Sequence, residues 1–289
     1  MRTLTMATFY GGFILVAAFG LSQTATKAEE GACPQAAHFE AAGLGVSVRC
    51  QAGLLVVETD GVPVHNVSSR GRHQMRPHNQ TFYIPLQPQM ADQPSEVPVL
   101  GPIAITVTGV VIFSPNTAPD FNWSDAAEIG LLDDCNGHVS PHGHYHYHGA
   151  PACPFAQTEE GAQAARERAE TGPAVATWEG QVIGYAFDGF PILQDNTQTS
   201  SWQLADEAIE PAWERNAFME RSGSLDQCNG MYRGPNSTDY AYVVTANFPY
   251  NLGCYAGELD RSLNRLQLGW SDRESIRPPR QGRPRRPRP

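Results

Sequence analysis

One block of this chain occurs twice, and the two copies constrain its fold more than any other feature. Leu132-Asp133-Asp134-Cys135-Asn136-Gly137-His138 is matched by Leu225-Asp226-Gln227-Cys228-Asn229-Gly230-Met231, and Tyr145-His146-Tyr147-His148 is matched by Tyr240-Ala241-Tyr242-Val243. Each copy opens on a cysteine and carries another after its Tyr-x-Tyr run, Cys153 and Cys254. Alternation is the period of an extended strand, in which successive side chains point to opposite faces. The expectation is a turn-and-strand unit built twice, each copy closed by its own disulfide, Cys135–Cys153 and Cys228–Cys254. The second copy keeps the tyrosines and cysteines and loses every histidine. What both copies keep reads as scaffold, and what only the first keeps reads as chemistry.

The first copy is dense in imidazole: His138, His142, His144, His146 and His148 are five of the nine histidines. An extended chain from His142 to His148 would line four of them along one face, with Tyr145 and Tyr147 on the other. Neutral imidazole is the commonest biological metal ligand. Two histidines one residue apart on a strand can share a metal, and His138 can return across a loop as the third ligand. Three imidazoles with an open position suit Zn²⁺, while Cu or Fe accept the same donors. The competing reading is a hydrogen-bonded polar ladder, or an exposed strand that takes metal opportunistically.

Export follows from the N-terminus and the cysteines. Residues 1–28 read as a signal peptide: Arg2, the apolar run Phe13 to Phe19, and small residues ending at Ala28. Six cysteines in an exported chain favour disulfides over metal ligation. Cys33 and Cys50 form the third expected pair. Periplasm, cell envelope or extracellular space is the expected location. Nothing later in the chain resembles a transmembrane helix. The only lysine, Lys27, leaves with the signal peptide. A lysine-free chain can form no Schiff base with pyridoxal phosphate and supplies no P-loop lysine.

Charge is unevenly spread. From Arg277 onward the chain carries six arginines and no acid, so the formal charge of −10 hides a more acidic body. Nucleic acid is not expected as a partner of that body. The Arg/Pro-rich segment 273–289 reads as an extended, disordered tail with a possible attraction to an acidic envelope surface.

The remaining segments predict a mainly β fold, β-rich with a few inserted helices. Leu54 to Val64 reads as a strand, an Asp60-Gly61 turn and a return. Thr81 to Ile84 is a short β run, and Pro88 to Pro98 a proline-studded loop. Ile103 to Phe113 is the strongest β segment, with Gly109 a bend or bulge. Helices are expected over Thr158 to Glu170 and Gln203 to Arg221, the second interrupted at Pro211. Gln181 to Phe187 and Tyr240 to Thr245 are strands. The expected division is 1–28 signal peptide, 29–52 an N-terminal cysteine-containing segment, 53–272 the β-rich domain and 273–289 the tail.

Taken together, these blocks resemble the YHYH-domain family of exported bacterial proteins. The resemblance is carried by Asp134-Cys135-Asn136-Gly137-His138, Tyr145-His146-Tyr147-His148, Gly184 to Ile192 (Gly-Tyr-Ala-Phe-Asp-Gly-Phe-Pro-Ile) and Phe248 to Tyr255 (Phe-Pro-Tyr-Asn-Leu-Gly-Cys-Tyr). It covers roughly residues 53 to 258 and implies one domain. Family members often carry the histidines in the later block as well. This chain departs there, with Met231, Ala241 and Val243, so a family with two histidine sites implies one retained here. His142 and His144 lie where the family pattern is looser. The expected metal ligands are therefore His138, His146 and His148. His144, His142, His65, Asp188 and Asp134 rank below them.

No Gly-x-Ser-x-Gly elbow, His-Glu-x-x-His helix or dinucleotide glycine fingerprint is present. The expected function is binding of a divalent metal, Zn or Cu, by an exported carrier, sensor or envelope module. The alternative is a metal-dependent enzyme, a Zn hydrolase or a Cu/Fe redox protein, using the same three histidines.

Overall fold

The structure is a computed structural model that describes residues 34–42, 45–65, 67, 73–153, 181–236 and 239–264. The expected signal peptide, Cys33, the expected helix from Thr158 and the Arg/Pro-rich segment lie outside these residues.

The chain runs through α1 (Ala36–Ala42), β1 (Val46–Gln51), β2 (Leu54–Thr59), β3 (Gln80–Pro85), β4 (Met90–Ser95), β5 (Pro102–Thr106), β6 (Val111–Phe113), a 3₁₀ turn (Pro119–Phe121), β7 (Gly137–Val139) and β8 (Tyr145–Tyr147). It continues through β9 (Gln181–Ala186), β10 (Pro191–Gln194), β11 (Trp202–Leu204), α2 (Ala212–Arg215), β12 (Asn216–Phe218), β13 (Gly230–Tyr232), β14 (Tyr240–Val244) and β15 (Tyr255–Gly257). The fold is mainly β, with two short helices among the described residues.

Eight strands form the principal sheet, in the order β13-β14-β10-β9-β5-β6-β8-β7. The order is a pseudo-twofold arrangement about the central antiparallel pair β5–β9, where Ile105 faces Tyr185. On each side a hairpin partner follows, β6 or β10, then a parallel strand, β8 or β14, then an antiparallel edge, β7 or β13. Each half is therefore one copy of the repeat, but the unit begins much earlier than the Asp-Cys-Asn-Gly block. Ala104 to Ile112 corresponds to Gly184 to Ile192, turn for turn. Gly109 N–H donates to Thr106 O at 2.9 Å and Gly189 N–H to Ala186 O at 3.0 Å. Both turn glycines have positive φ, +80° and +97°, a backbone that side chains rarely adopt.

A three-stranded antiparallel sheet, β1-β2-β3, packs on the principal sheet. Leu55, Val57, Phe82 and Ile84 are buried in the common core with Ile103, Ile105 and Phe187. Phe82 stacks on Phe187 with ring centroids 5.5 Å apart. The strands at the centre of the large sheet are covered on both faces, which is why all five residues of β5 are buried. The large sheet curls: Asn251, beyond β14, donates from Nδ2 to the carbonyls of His148 and Gly149, both at 3.1 Å. One half thus ties down the end of the other half's β8.

The two disulfides expected from the repeat are present, Cys135–Cys153 and Cys228–Cys254, closing sequence separations of 18 and 26. Loops of this size contribute on the order of 3 kcal/mol each by restricting the unfolded chain.

Three expectations are corrected. Pro88–Pro98 is not all loop: β4 lies within it and pairs with β15. Proline is tolerated there because a strand with one paired edge needs only half its N–H groups. Asp60-Gly61 does form a turn, with Val62 N–H donating to Asp60 Oδ1 at 2.9 Å. No hairpin follows it, because β2 is already paired on both edges, with β1 and β3. The helix across Gln203–Arg221 shrinks to α2, opened at Pro211 and flanked by the antiparallel pair β11–β12. Trp213 supplies the reason: it is buried, and its Nε1–H donates to Ser114 Oγ and Asn116 Oδ1. That tertiary anchor fixes one short turn, and the flanking residues extend to pair with each other.

Candidate metal centre

The repeated turn comes first, because it positions β7 and β8. Asp133 Oδ1 accepts the backbone N–H groups of Cys135 at 2.9 Å and Gly137 at 3.1 Å, and Tyr145 donates its hydroxyl to the same carboxylate at 3.0 Å. In the other half Asp226 accepts from Cys228, Gly230 and Tyr240 at 2.8, 3.0 and 3.0 Å. Asn136 and Asn229 both take left-handed φ, +67° and +63°, which asparagine tolerates better than most residues. Gly137 and Gly230 have no Cβ for a steric reason. A methyl there would stand 2.5 Å from the Tyr145 ring, or 2.1 Å from the Tyr240 hydroxyl. Asp133 is structural, as its retention as Asp226 implies.

This turn returns the chain as β7 directly beside β8, with His138 opposite His146. Alternation along the extended chain places His148 on the same face. Ring centroids are 4.4 Å apart for His138–His146, 5.2 Å for His138–His148 and 4.8 Å for His146–His148. One nitrogen from each ring lies within 4.8 Å of the others. His146 and His148 are buried and His138 half-buried, so the cluster opens toward solvent on the His138 side. Phe113 walls it from within, its ring 4.1 Å from that of His146.

Hydrogen bonds assign the tautomers. His148 Nδ1 donates to Ser114 O at 2.5 Å, and His146 Nδ1 faces His144 O at 3.3 Å. The Nε2 atoms of His146 and His148 face each other at 3.1 Å. With His146 protonated on Nδ1 both carry lone pairs, an arrangement that a shared cation satisfies. A proton is disfavoured by burial, which pushes His148 down to about 3 and His138 to about 4, with neighbouring imidazoles adding to the shift. His146 is held well below its ordinary value by burial, then by His148 and His138. All three therefore stand in the neutral, metal-ligating form. The 3.1 Å between the His146 and His148 Nε2 atoms suits nitrogens that share one metal at about 2.0–2.1 Å.

The other nominated residues go elsewhere. His142 is exposed and His144 half-buried, because the chain turns at residues 141–143 and extends only from Tyr145. The row of four imidazoles is broken there. His144 instead stacks on His78, with centroids 3.4 Å apart. Asp134 is exposed. Asp188 is fully buried but bonds to the Tyr242 hydroxyl and to the N–H groups of Phe190 and Gly257. His65 lies on the tyrosine side of β8, its Nε2 3.1 Å from the Tyr145 hydroxyl. A ring nitrogen of His65 lies within 4.8 Å of the Cys135 and Cys153 sulfurs, which are joined to each other.

Sequence reading missed the supports. Ser114 holds His148 through a backbone carbonyl, which no side-chain pattern reveals. Its hydroxyl in turn accepts from Trp213. Such outer partners fix the orientation of a ligating imidazole. Asn251 lies in a block that carried the family resemblance, yet only the curl of the sheet brings it to His148.

No curated protein and no solved structure is significantly similar to the chain. The family model for YHYH proteins matches residues 81–257, more than half of the chain, and spans both halves of the principal sheet. The chain belongs to the YHYH protein family.

Proposed function

We propose that this is an exported metal-binding protein in which His138, His146 and His148 hold one divalent ion, Zn²⁺ or Cu²⁺. The observation that carries the reading is the pair of buried Nε2 atoms 3.1 Å apart, with His138 beside them. Disulfides suit an oxidising compartment, and no described helix is long and apolar enough to cross a membrane.

Binding without turnover is the favoured role. Among the described residues no carboxylate joins the three-histidine group, so no general acid or base stands at the metal position. Catalysis is the second reading. It is favoured by the three-ligand set, which leaves a fourth position open on the half-exposed His138 side.

Elemental analysis of natively purified protein tests the proposal. One equivalent of Zn or Cu in the wild type, and less than about a tenth of that in His146→Ala and His148→Ala, is the expected result. A wild type that carries no metal and takes up neither Zn²⁺ nor Cu²⁺ would remove it.

A further inference from the structure

The opposite face of β8 carries a second donor set that the three-histidine site does not use. His65, Cys135 and Cys153 are all buried, at 8%, 8% and 4% exposure, with their donor atoms within 4.8 Å of one another. We propose that they form a redox-gated metal site, closed while the disulfide stands and opened to a borderline cation such as Zn²⁺ when it is reduced.

Two features beyond proximity support this. Among the described residues the buried His65 Nδ1 has no hydrogen-bond partner of good geometry, only an approach to the Cys153 backbone, and buried polar atoms are seldom left so. The other nitrogen is held: His65 Nε2 meets the Tyr145 hydroxyl, which donates to Asp133. A ring oriented from behind by a hydroxyl and a carboxylate is the usual arrangement behind a metal-ligating imidazole. Burial also keeps the ring neutral, its pKa pushed down to about 4 against a weaker upward pull from the Cys153 backbone. The second half is the built-in contrast. Among the described residues, Cys228 and Cys254 join no such group.

The chemistry balances with an external thiol reductant. Two R–SH molecules supply two electrons and two protons, the Cys135–Cys153 bond breaks, and R–S–S–R leaves. Zn²⁺ then displaces both thiol protons. Two thiolates and a neutral imidazole around Zn²⁺ carry no net charge, as burial requires.

Co²⁺ is the probe, because thiolate-to-cobalt charge-transfer absorption cannot arise from the three-histidine site. Folded protein reduced with a phosphine and titrated with Co²⁺ should develop this absorption, and oxidised protein should not. Cys228→Ser/Cys254→Ser should retain it and Cys135→Ser/Cys153→Ser should lose it. His65→Ala should weaken binding by more than the roughly tenfold loss of an outer partner. Three results would each overturn the proposal. These are absorption that persists in Cys135→Ser/Cys153→Ser, reduced protein with alkylatable Cys135 and Cys153 but no absorption, and loss of the native near-ultraviolet circular dichroism on reduction.

Discussion

The two halves of the principal sheet share a strand order, and one face of their outer strands carries histidines in the first half only. His138, His146 and His148 stand in the first half where Met231, Ala241 and Val243 stand in the second. His146 and Ala241 are equally buried, as are His148 and Val243. The strand registers match residue for residue, His138 opposite His146 and Met231 opposite Ala241. The fold therefore has no need of imidazole at these positions. Burying the imidazoles of His146 and His148 costs free energy that an alanine or valine does not incur. In the proposed reading the histidines serve the metal site, while the Asp–Cys–Asn–Gly turn with its tyrosine, present in both halves, belongs to the fold.

The other face of the two halves differs in the opposite sense. Tyr242 donates to Asp188 and accepts from Ala256 N–H at 2.8 Å, whereas the corresponding Tyr147 hydroxyl is buried with no partner among the described residues. Thr108 occupies the place of Asp188 in the first hairpin. The second half has put its polar interactions into structure.

The shared turn gives the largest expected effect. Asp133→Ala and Asp226→Ala should each destabilise the protein by about 3 kcal/mol or more, since each strands two backbone N–H groups and a tyrosine hydroxyl. Urea unfolding should give similar losses for the two. A large loss for one and none for the other would break the equivalence of the halves.

Next come the tyrosines. Tyr242→Phe removes a hydrogen bond to a buried carboxylate and should cost roughly 2 kcal/mol, while Tyr147→Phe removes an unpartnered hydroxyl and should be neutral or slightly stabilising. Equal costs would mean that Tyr147 has a partner in solution.

The last test vanishes at neutral pH and grows in acid. His138 and His148 have folded pKa values of about 4 and about 3, below the ordinary 6.5, so the unfolded chain binds protons first as pH falls. Their contribution is complete above about pH 6.5 and is lost progressively toward pH 4. Metal-free wild type should therefore lose more stability between pH 7 and pH 4.5 than a variant carrying Met, Ala and Val at the three positions. Parallel curves would place the histidines in solvent.

How much of this was legible in the sequence follows from locality. The turn, the Tyr alternation and the Cys135–Cys153 and Cys228–Cys254 pairs lie within short windows and were readable, and with them the histidine trio. The hairpin half of the repeat was not. Between Ala104–Ile112 and Gly184–Ile192 only Gly109/Gly189 and Ile112/Ile192 are identical, because nine buried positions tolerate many apolar choices. β4 was hidden by Pro94 within it and by the flanking Pro88 and Pro98. The face that His65 joins is set by its contact with Tyr145, 80 residues away, which no local pattern shows. Ser114, Trp213 and Asn251 act across long sequence distances, where no local pattern points.

The central claim is that the first half's histidines are ligands mounted on a scaffold that does not need them. The direct measurement is isothermal titration of Zn²⁺ and Cu²⁺ into His138→Met/His146→Ala/His148→Val, beside wild type, with urea unfolding of both metal-free proteins. The account predicts one equivalent bound by wild type and none at this site in the variant, with metal-free stability at neutral pH unchanged or improved by about 1 kcal/mol. A variant that binds metal as tightly as wild type, or one that fails to fold, would contradict it.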